Sequence, residues 1–243
     1  MIFQYRFQLT QPENKPIPSF WAYRLYAWML EQLSSEIGNE MHQQGERPIS
    51  QYVYFDRQRG ASYWVINLLN DEMAEWFSPI LNQAEQINLH CGTIRIEKSS
   101  ADCVYQPELF LEQGTQTSSN KTELTFLTPT AFRQAGRYVI FPQEQLLIQS
   151  LVLRWNNLFP EYLLADEDVI HALVQGVHIV DYSLNSTRYS LKMNRIPSFC
   201  GKVILESKLS QPLQELWQTL LAFAPYSGIG IKTALGMGGV CVE

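Results

Sequence analysis

Four histidines carry the side chains of this sequence that change charge near neutral pH, and one of them stands apart. His42 lies in the polar, glycine-containing segment Glu40-Met-His-Gln-Gln-Gly-Glu-Arg-Pro-Ile-Ser50, where an imidazole can reach a ligand and move a proton. His90, His171 and His178 lie in the apolar patterns Asn-Leu-His-Cys, Val-Ile-His-Ala-Leu and Val-His-Ile-Val, which predict satisfied or partly buried structural roles. The second chemical feature is the run Gly228-Ile-Gly-Ile-Lys-Thr-Ala-Leu-Gly-Met-Gly-Gly-Val-Cys-Val-Glu243. Gly228 with Gly230 and Gly236 with Gly238 form two Gly-apolar-Gly pairs around Lys232 and Thr233. Such spacing lets a backbone approach a ligand closely and turn its N–H groups toward an anion, above all a phosphate. A dinucleotide fingerprint would follow a strand and open a helix, and a phosphate-binding Gly-Lys-Ser/Thr would need a helix after it; neither fits here. A tight turn leading into a terminal edge strand remains the competing reading.

Composition narrows the class. At 243 residues, with 46% hydrophobic and 17% charged residues, the chain is long enough for one large domain or two small ones. No apolar run is long enough to span a membrane, and Met1-Ile-Phe-Gln-Tyr-Arg-Phe7 does not read as a signal peptide, so a cytoplasmic protein without membrane partners is expected. Cys91, Cys103, Cys200 and Cys241 are scattered and predict free thiols rather than a zinc site or disulfide framework. The formal net charge of −6 argues against a protein that coats nucleic acid through a generally basic surface. Residues 1–120 carry 8 Lys and Arg against 14 Asp and Glu, whereas residues 121–243 carry 10 against 10, so a polyanion would favour the second half. There, Arg133, Arg137, Arg188, Lys192, Arg195, Lys202 and Lys232 fall on predicted strands and loops. Asp166-Glu-Asp168 with His171 could be drawn as a metal ligand set, but its place at a predicted helix start favours capping, and no metal site or cofactor is expected.

The elements that must position these residues follow one rhythm twice. Ile2 to Leu9 alternates as a strand, and the stretch from Phe20 to Leu30 has helical spacing. Gln51–Phe55 and Ser62–Leu69 predict a hairpin across Asp56–Gly60, a helix starts near an Asp71 cap, and a strand runs from Ile87 to Glu97. The order is βαββαβ, the ferredoxin-like arrangement. After the polar stretch Gly114–Asn120, suited to a linker, a strand at Thr122–Leu127 begins the pattern again. A helix over Gln143–Leu158 follows, then a hairpin of Val177–Tyr182 and Arg188–Arg195 turning at Asn185-Ser186, a strand at Lys202–Ser207 and a helix at Pro212–Phe223. A helical segment around Asp166–Val174 is inserted. The fold class is therefore α+β: tandem duplicated ferredoxin-like folds with antiparallel sheets and a C-terminal glycine-rich loop. The domains are 1–113, carrying His42, and 121–243, carrying the loop.

A duplicated ferredoxin-like chain ending in such a loop resembles the CRISPR-associated endoribonucleases that process precursor CRISPR RNA, members of the repeat-associated mysterious protein superfamily. The His42 segment is similar to the family's histidine-bearing segment. Thr128-Pro-Thr-Ala-Phe-Arg133 with Gly136-Arg-Tyr138 is similar to the strand opening its second half, and Leu151-Val-Leu-Arg-Trp-Asn156 to the helix that follows. The resemblance implies a metal-independent RNase that cuts CRISPR repeat RNA by 2′-hydroxyl attack, leaving a 5′-hydroxyl and a 2′,3′-cyclic phosphate or related end. It implies that His42 transfers the proton, that Tyr26, or Tyr23 beside it, donates to the scissile phosphate, and that Arg47 acts electrostatically. Arg47 stands where some members carry lysine, and a guanidinium clamps phosphate but serves poorly as an acid. Gly228, Gly230, Lys232, Gly236 and Gly238, with Arg133, Arg137, Lys192 and Arg195, would hold the RNA. A homodimer and association with CRISPR effector-complex subunits stay open, as do two rival functions: a catalytically silent RNA-binding subunit of such a complex, and a mononucleotide enzyme.

Overall fold

The computed structural model describes residues 1–12, 15–34, 37, 47–90, 92–117 and 119–243. They form two compact units, Met1–Val104 with Lys232–Gly236, and Tyr105–Ile231 with Met237–Glu243.

In the first unit, strand β1 (Ile2–Thr10) leads to helix α1 (Trp21–Glu31), strands β2 (Ile49–Asp56) and β3 (Ala61–Leu68), helix α2 (Asp71–Asn82), and strands β4 (Gln86–Leu89) and β5 (Gly92–Tyr105). The sheet order is β2-β3-β1-β5-β4. Without the edge strand β4 this is the ferredoxin-like order. Strand alternation sends Tyr5, Phe7 and Leu9 to the helix-covered face, where they join Trp64, Ile66, Leu25, Met29 and Phe77 in one buried cluster. The opposite face carries polar rows: Gln4 donates to Asn67 at 2.7 Å, and the Arg6 guanidinium lies 4.3 Å from the Tyr63 ring centroid. Two expectations shift here. Helix α2 is capped by Asn70, whose side-chain Oδ1 accepts from the Met73 N–H at 2.9 Å, while Asp71 is the first helical residue. The single strand expected over Ile87–Glu97 is a hairpin in which Leu89 pairs with Gly92 and Ile87 with Ile94. The apolar alternation changes phase at that reversal, from Ile87 and Leu89 to Ile94 and Ile96, with Gly92 opening the second strand.

The second unit repeats the order. Helix α3 (Pro107–Gln116) precedes strand β6 (Lys121–Thr130), a short hairpin β7 (Phe132–Gln134) and β8 (Arg137–Val139), and helix α4 (Glu144–Leu158). Helix α5 (Glu167–Gly176), strands β9 (Val177–Leu191) and β10 (Asn194–Ser207), helix α6 (Gln211–Ser227) and strand β11 (Val240–Val242) complete it. The sheet order β11-β6-β10-β9 is again ferredoxin-like, and its pairings are antiparallel. Leu151, Trp155, Leu220 and Phe223 of the helices and Leu124, Phe126 and Val203 of the sheet are all buried, and the Trp155 and Phe223 ring centroids lie 5.5 Å apart. The polar stretch read as a linker begins inside α3. An ideal Cβ on Gly114 would stand 2.2 Å from Thr219 Oγ1 and 2.5 Å from the Glu215 carbonyl oxygen, so the glycine is where α3 meets α6. The hairpin expected to turn at Asn185-Ser186 instead runs on: these residues pair with Cys200 and Phe199. The reversal is at Lys192-Met193, between the partners Leu191 and Asn194, with Lys192 at φ 53°. The strand expected separately at Lys202–Ser207 is the far end of β10.

Candidate ribonuclease site and RNA interface

Tyr26 and Arg47 come together. Tyr26 projects from α1 into the core and is 2% exposed, and its hydroxyl accepts a hydrogen bond from Arg47 Nη1. The guanidinium carbon also lies 5.7 Å from the Tyr26 ring centroid. Burial pushes the Tyr26 phenol above its ordinary pKa, while the hydrogen bond and charge of Arg47 act in the opposite direction. The pair keeps a neutral tyrosine beside a half-buried cation. Tyr23 leaves α1 on another side, lining a groove of about 750 Å³ with Arg24, Trp28 and His90. His42 lies outside the described residues. The histidines expected to be partly buried, His90, His171 and His178, are all exposed. Apolar neighbours in sequence point to the other face of a strand or helix, leaving these imidazoles outside. Asp166 does cap α5, accepting from the Asp168 and Val169 N–H groups at 2.9 and 3.3 Å.

The glycine run is held from several directions, and its amides are largely spent on the protein itself. In the second unit, Gly228 N–H donates to the Ala224 carbonyl, closing α6, and Ile229 N–H to the Gly238 carbonyl, both at 2.9 Å. Ile231 N–H reaches the Ala131 carbonyl at 3.0 Å, and Gly238 N–H the Pro129 carbonyl at 3.2 Å. Gly239 N–H donates to Thr128 Oγ1 at 2.9 Å. Helix α4 grips Gly230 at both ends: Ser150 Oγ accepts from its N–H at 2.8 Å, and Arg154 Nη2 donates to its carbonyl at 2.7 Å. In the first unit, Gly236 N–H closes on the Thr233 carbonyl at 3.4 Å. Gln51 Nε2 donates to the carbonyls of both Ala234 and Ala22 at 2.9 Å, and Gln51 Oε1 accepts from Trp64 Nε1 at 2.8 Å.

These bonds change what the glycines do. Gly228, Gly230, Gly236 and Gly238 are buried, have positive φ, and give their N–H groups to protein acceptors. Positive φ at these positions shapes the loop, and these N–H groups are not turned toward an anion as the spacing led one to expect. Lys232 is the exposed cation of the run, held in the left-handed region at φ 58°. Gln51, Ser150 and Arg154 were not foreseen as loop holders. Their signal was present: Ser150 and Arg154 stand four residues apart on an otherwise apolar helical face, and Gln51 opens a strand rich in aromatics.

The basic residues of the second half cluster on two hairpins. Arg133 and Arg137 flank the Ala135-Gly136 turn, both of whose residues have positive φ, as a two-residue I′ turn requires. Lys192 forms the β9–β10 turn and Arg195 follows it on β10. All four side chains are exposed. Lys202 is engaged, forming an ion pair with Glu123 that lowers the Glu123 pKa and raises its own.

Comparison with known proteins places this geometry. Over 228 residues, 91% of either chain, the sequence is 30% identical to the CRISPR-associated endoribonuclease Cas6 of Streptococcus thermophilus. The chain belongs to the Cas6 family of CRISPR-associated endoribonucleases. The sequence model described as CRISPR-associated endoribonuclease Cas6 matches residues 124–240, the stretch containing the loop and most of its cradle. A Cas6 product complex aligns over the whole of both chains with a TM-score of 0.82 and 20% identity. Thermus thermophilus Cas6 aligns over 100% of this chain and 98% of its own, with a TM-score of 0.79 and 21% identity. At these identities the two structures establish the Cas6 fold, which is the tandem ferredoxin-like architecture described above.

Proposed function

We propose that this Cas6-family endoribonuclease cuts CRISPR repeat RNA within precursor transcripts in the cytoplasm, by attack of the 2′-hydroxyl upstream of the cut on the adjacent phosphorus. The observation that carries the reading is the identity to a curated Cas6 endoribonuclease over nine-tenths of both chains. In the step itself the O2′–P bond forms and the P–O5′ bond breaks. One proton leaves the 2′-hydroxyl and one reaches the departing 5′-oxygen, giving a 2′,3′-cyclic phosphate and a 5′-hydroxyl. His42 is assigned the proton transfer because its imidazole exists in both protonation states near neutrality. Arg47, anchored by Tyr26, is assigned the stabilisation of charge that builds on the phosphoryl oxygens. Tyr26 is then a positioning residue, since its buried hydroxyl is occupied in orienting the guanidinium. Lys232 and the exposed cations Arg133, Arg137, Lys192 and Arg195 are assigned the RNA backbone.

The test is incubation of the protein and its His42→Ala variant with end-labelled repeat RNA in EDTA, followed by mapping of the product ends. We expect wild-type cleavage with a 5′-hydroxyl product, loss of cutting when the 2′-hydroxyl at the scissile site is replaced by hydrogen, and a fall of about 10² to 10⁴ in rate for the variant. Equal rates for both proteins would move proton transfer away from His42. Tight binding without cleavage by the wild type would make the chain a silent RNA-binding subunit.

A further inference from the structure

Beside the basic hairpins of the second unit, two large aromatic rings face solvent. Phe141, just after β8, is 44% exposed and Tyr182 on β9 is 57% exposed; their centroids are 5.4 Å apart at an interplanar angle of 86°. Tyr138, 43% exposed, lies three residues before Phe141 on the strand bearing Arg137. A lone exposed aromatic is ordinary, but a pair in mutual contact leaves apolar area uncovered where the protein could have buried it.

The charge around the pair says what covers it. Residues 131–143 and 182–203 contain no Asp or Glu, in a chain of net charge −6, and Glu144, the first acid beyond Phe141, is engaged, its Oε1 accepting from the Ile179 N–H at 2.9 Å. Asp181 adjoins the ring on the opposite face of β9, and its carboxylate accepts from the Tyr182 N–H at 2.7 Å. By strand alternation Tyr182 shares its face with Arg188, and Arg195, whose register partner is Ser190, lies on that face as well. Strand β9 is the edge of its sheet. A second copy of the chain meeting this face two-fold would set one arginine row against another, an arrangement that like charges oppose. A polyanion carrying flat rings meets both halves of the surface.

We infer that Phe141 and Tyr182 form a stacking site for an unpaired nucleotide of the RNA, with Arg188 and Arg195 holding the phosphates of the same strand. Bases inside a helix already stack on their neighbours and cannot present their faces, so the site takes single-stranded RNA next to any paired region. The inference rests on the RNA-binding reading above and names the part of the substrate that this surface recognises.

Fluorescence anisotropy on repeat RNA with a free flank, and on the same RNA with the flank paired to a complementary oligonucleotide, tests it. A Phe141→Leu/Tyr182→Leu double variant keeps apolar bulk and removes the rings at exposed positions; an unchanged melting temperature establishes that it folds. We expect the double variant to lose about ten-fold or more in affinity for the free-flank RNA and to bind the paired RNA within two-fold of wild type. A Tyr182→Trp variant is expected to retain the wild-type affinity. A 2-aminopurine in the free flank is expected to be quenched by wild type and left bright by the double variant. Wild-type affinity and quenching in the double variant overturn the inference alone. A change in self-association without any change in RNA affinity also overturns it, making the face a protein contact. Failure of the wild type to bind either RNA overturns both this inference and the reading beneath it.

Discussion

The Tyr26–Arg47 pair shows how one hydrogen bond sets the order of importance at the residue scale. If Arg47 supplies charge and Tyr26 aims it, Arg47→Ala is expected to lower kcat by about 10² to 10³ with a smaller effect on KM. Tyr26→Phe keeps the ring under the guanidinium and is expected to cost far less; single-turnover rates at saturating RNA decide, and equal losses would make the phenol a direct participant. Lys232 is a second case. A lysine at φ 58° pays a conformational penalty that glycine would not, so Lys232→Gly is expected to hold or raise the melting temperature while weakening RNA binding several-fold. A variant that binds RNA as before would leave the strained lysine without a role. Cys200 offers a pH signature. Burial raises its thiol from the ordinary 9.0 to about 11, so the unfolded chain gives up this proton at lower pH than the folded one. Stability is therefore expected to fall as pH rises from about 9 to 11, and Cys200→Ala to flatten that part of a melting-temperature profile.

Elements explain why the residues stand where they do, and here glycine variants separate structure from function. On Gly230 a Cβ would lie 2.5 Å from the Ala131 carbonyl oxygen at φ +87°, so Gly230→Ala is expected to cost about 2 kcal/mol or more and to impair RNA cleavage with it. Gly114→Ala pushes α3 from α6, and is expected to cost about 1–3 kcal/mol while cleavage at low temperature survives. Thermal melts with cleavage assays on both variants check the contrast. The same elements show what the sequence made legible. Both βαββαβ passes could be read because Ile2–Leu9 alternates at period two and the α1, α4 and α6 segments at helical spacing, and each period matches the face that is buried. The turns were harder. Asn185-Ser186 has the composition of a turn but pairs in mid-strand, while Lys192-Met193 makes the reversal without glycine or asparagine at its left-handed position. Helix α3 was missed because its polar C-terminal turn contains a glycine whose reason is a partner more than a hundred residues away. The glycine run was legible as a special backbone but not as a satisfied one. Its acceptors, Thr128, Pro129, Ala131 and Ser150, are distant in sequence, and they fall in or beside the same two segments that carry the family likeness.

For the molecule as a whole, the issue is how a chain of net charge −6 holds a polyanion. Its net negative charge lies in residues 1–120, whereas the exposed cations Arg133, Arg137, Lys192 and Arg195 stand in stretches of the second unit, 131–143 and 182–203, that contain no Asp or Glu. If RNA binds at these cations, attraction is local and the net negative charge elsewhere disfavours other orientations, which selects one binding mode over diffuse coating. Counterion release makes this quantitative. If the hairpin cations, Arg188 and Lys232 supply the phosphate contacts, the slope of log affinity against log salt on single-stranded repeat RNA should be no steeper than about −4. Arg133→Ala/Arg137→Ala should make it shallower by about 1.4. Replacing Arg95 and Lys98, exposed cations on β5 of the first unit, should leave the slope unchanged if contact is confined to these groups. A slope near −8 would mean that RNA wraps a far larger surface than the two hairpins and Lys232, and would return the acidic first half to the binding problem. A slope near zero would mean that stacking and shape carry the affinity almost alone, in which case Phe141 and Tyr182 would outweigh every arginine.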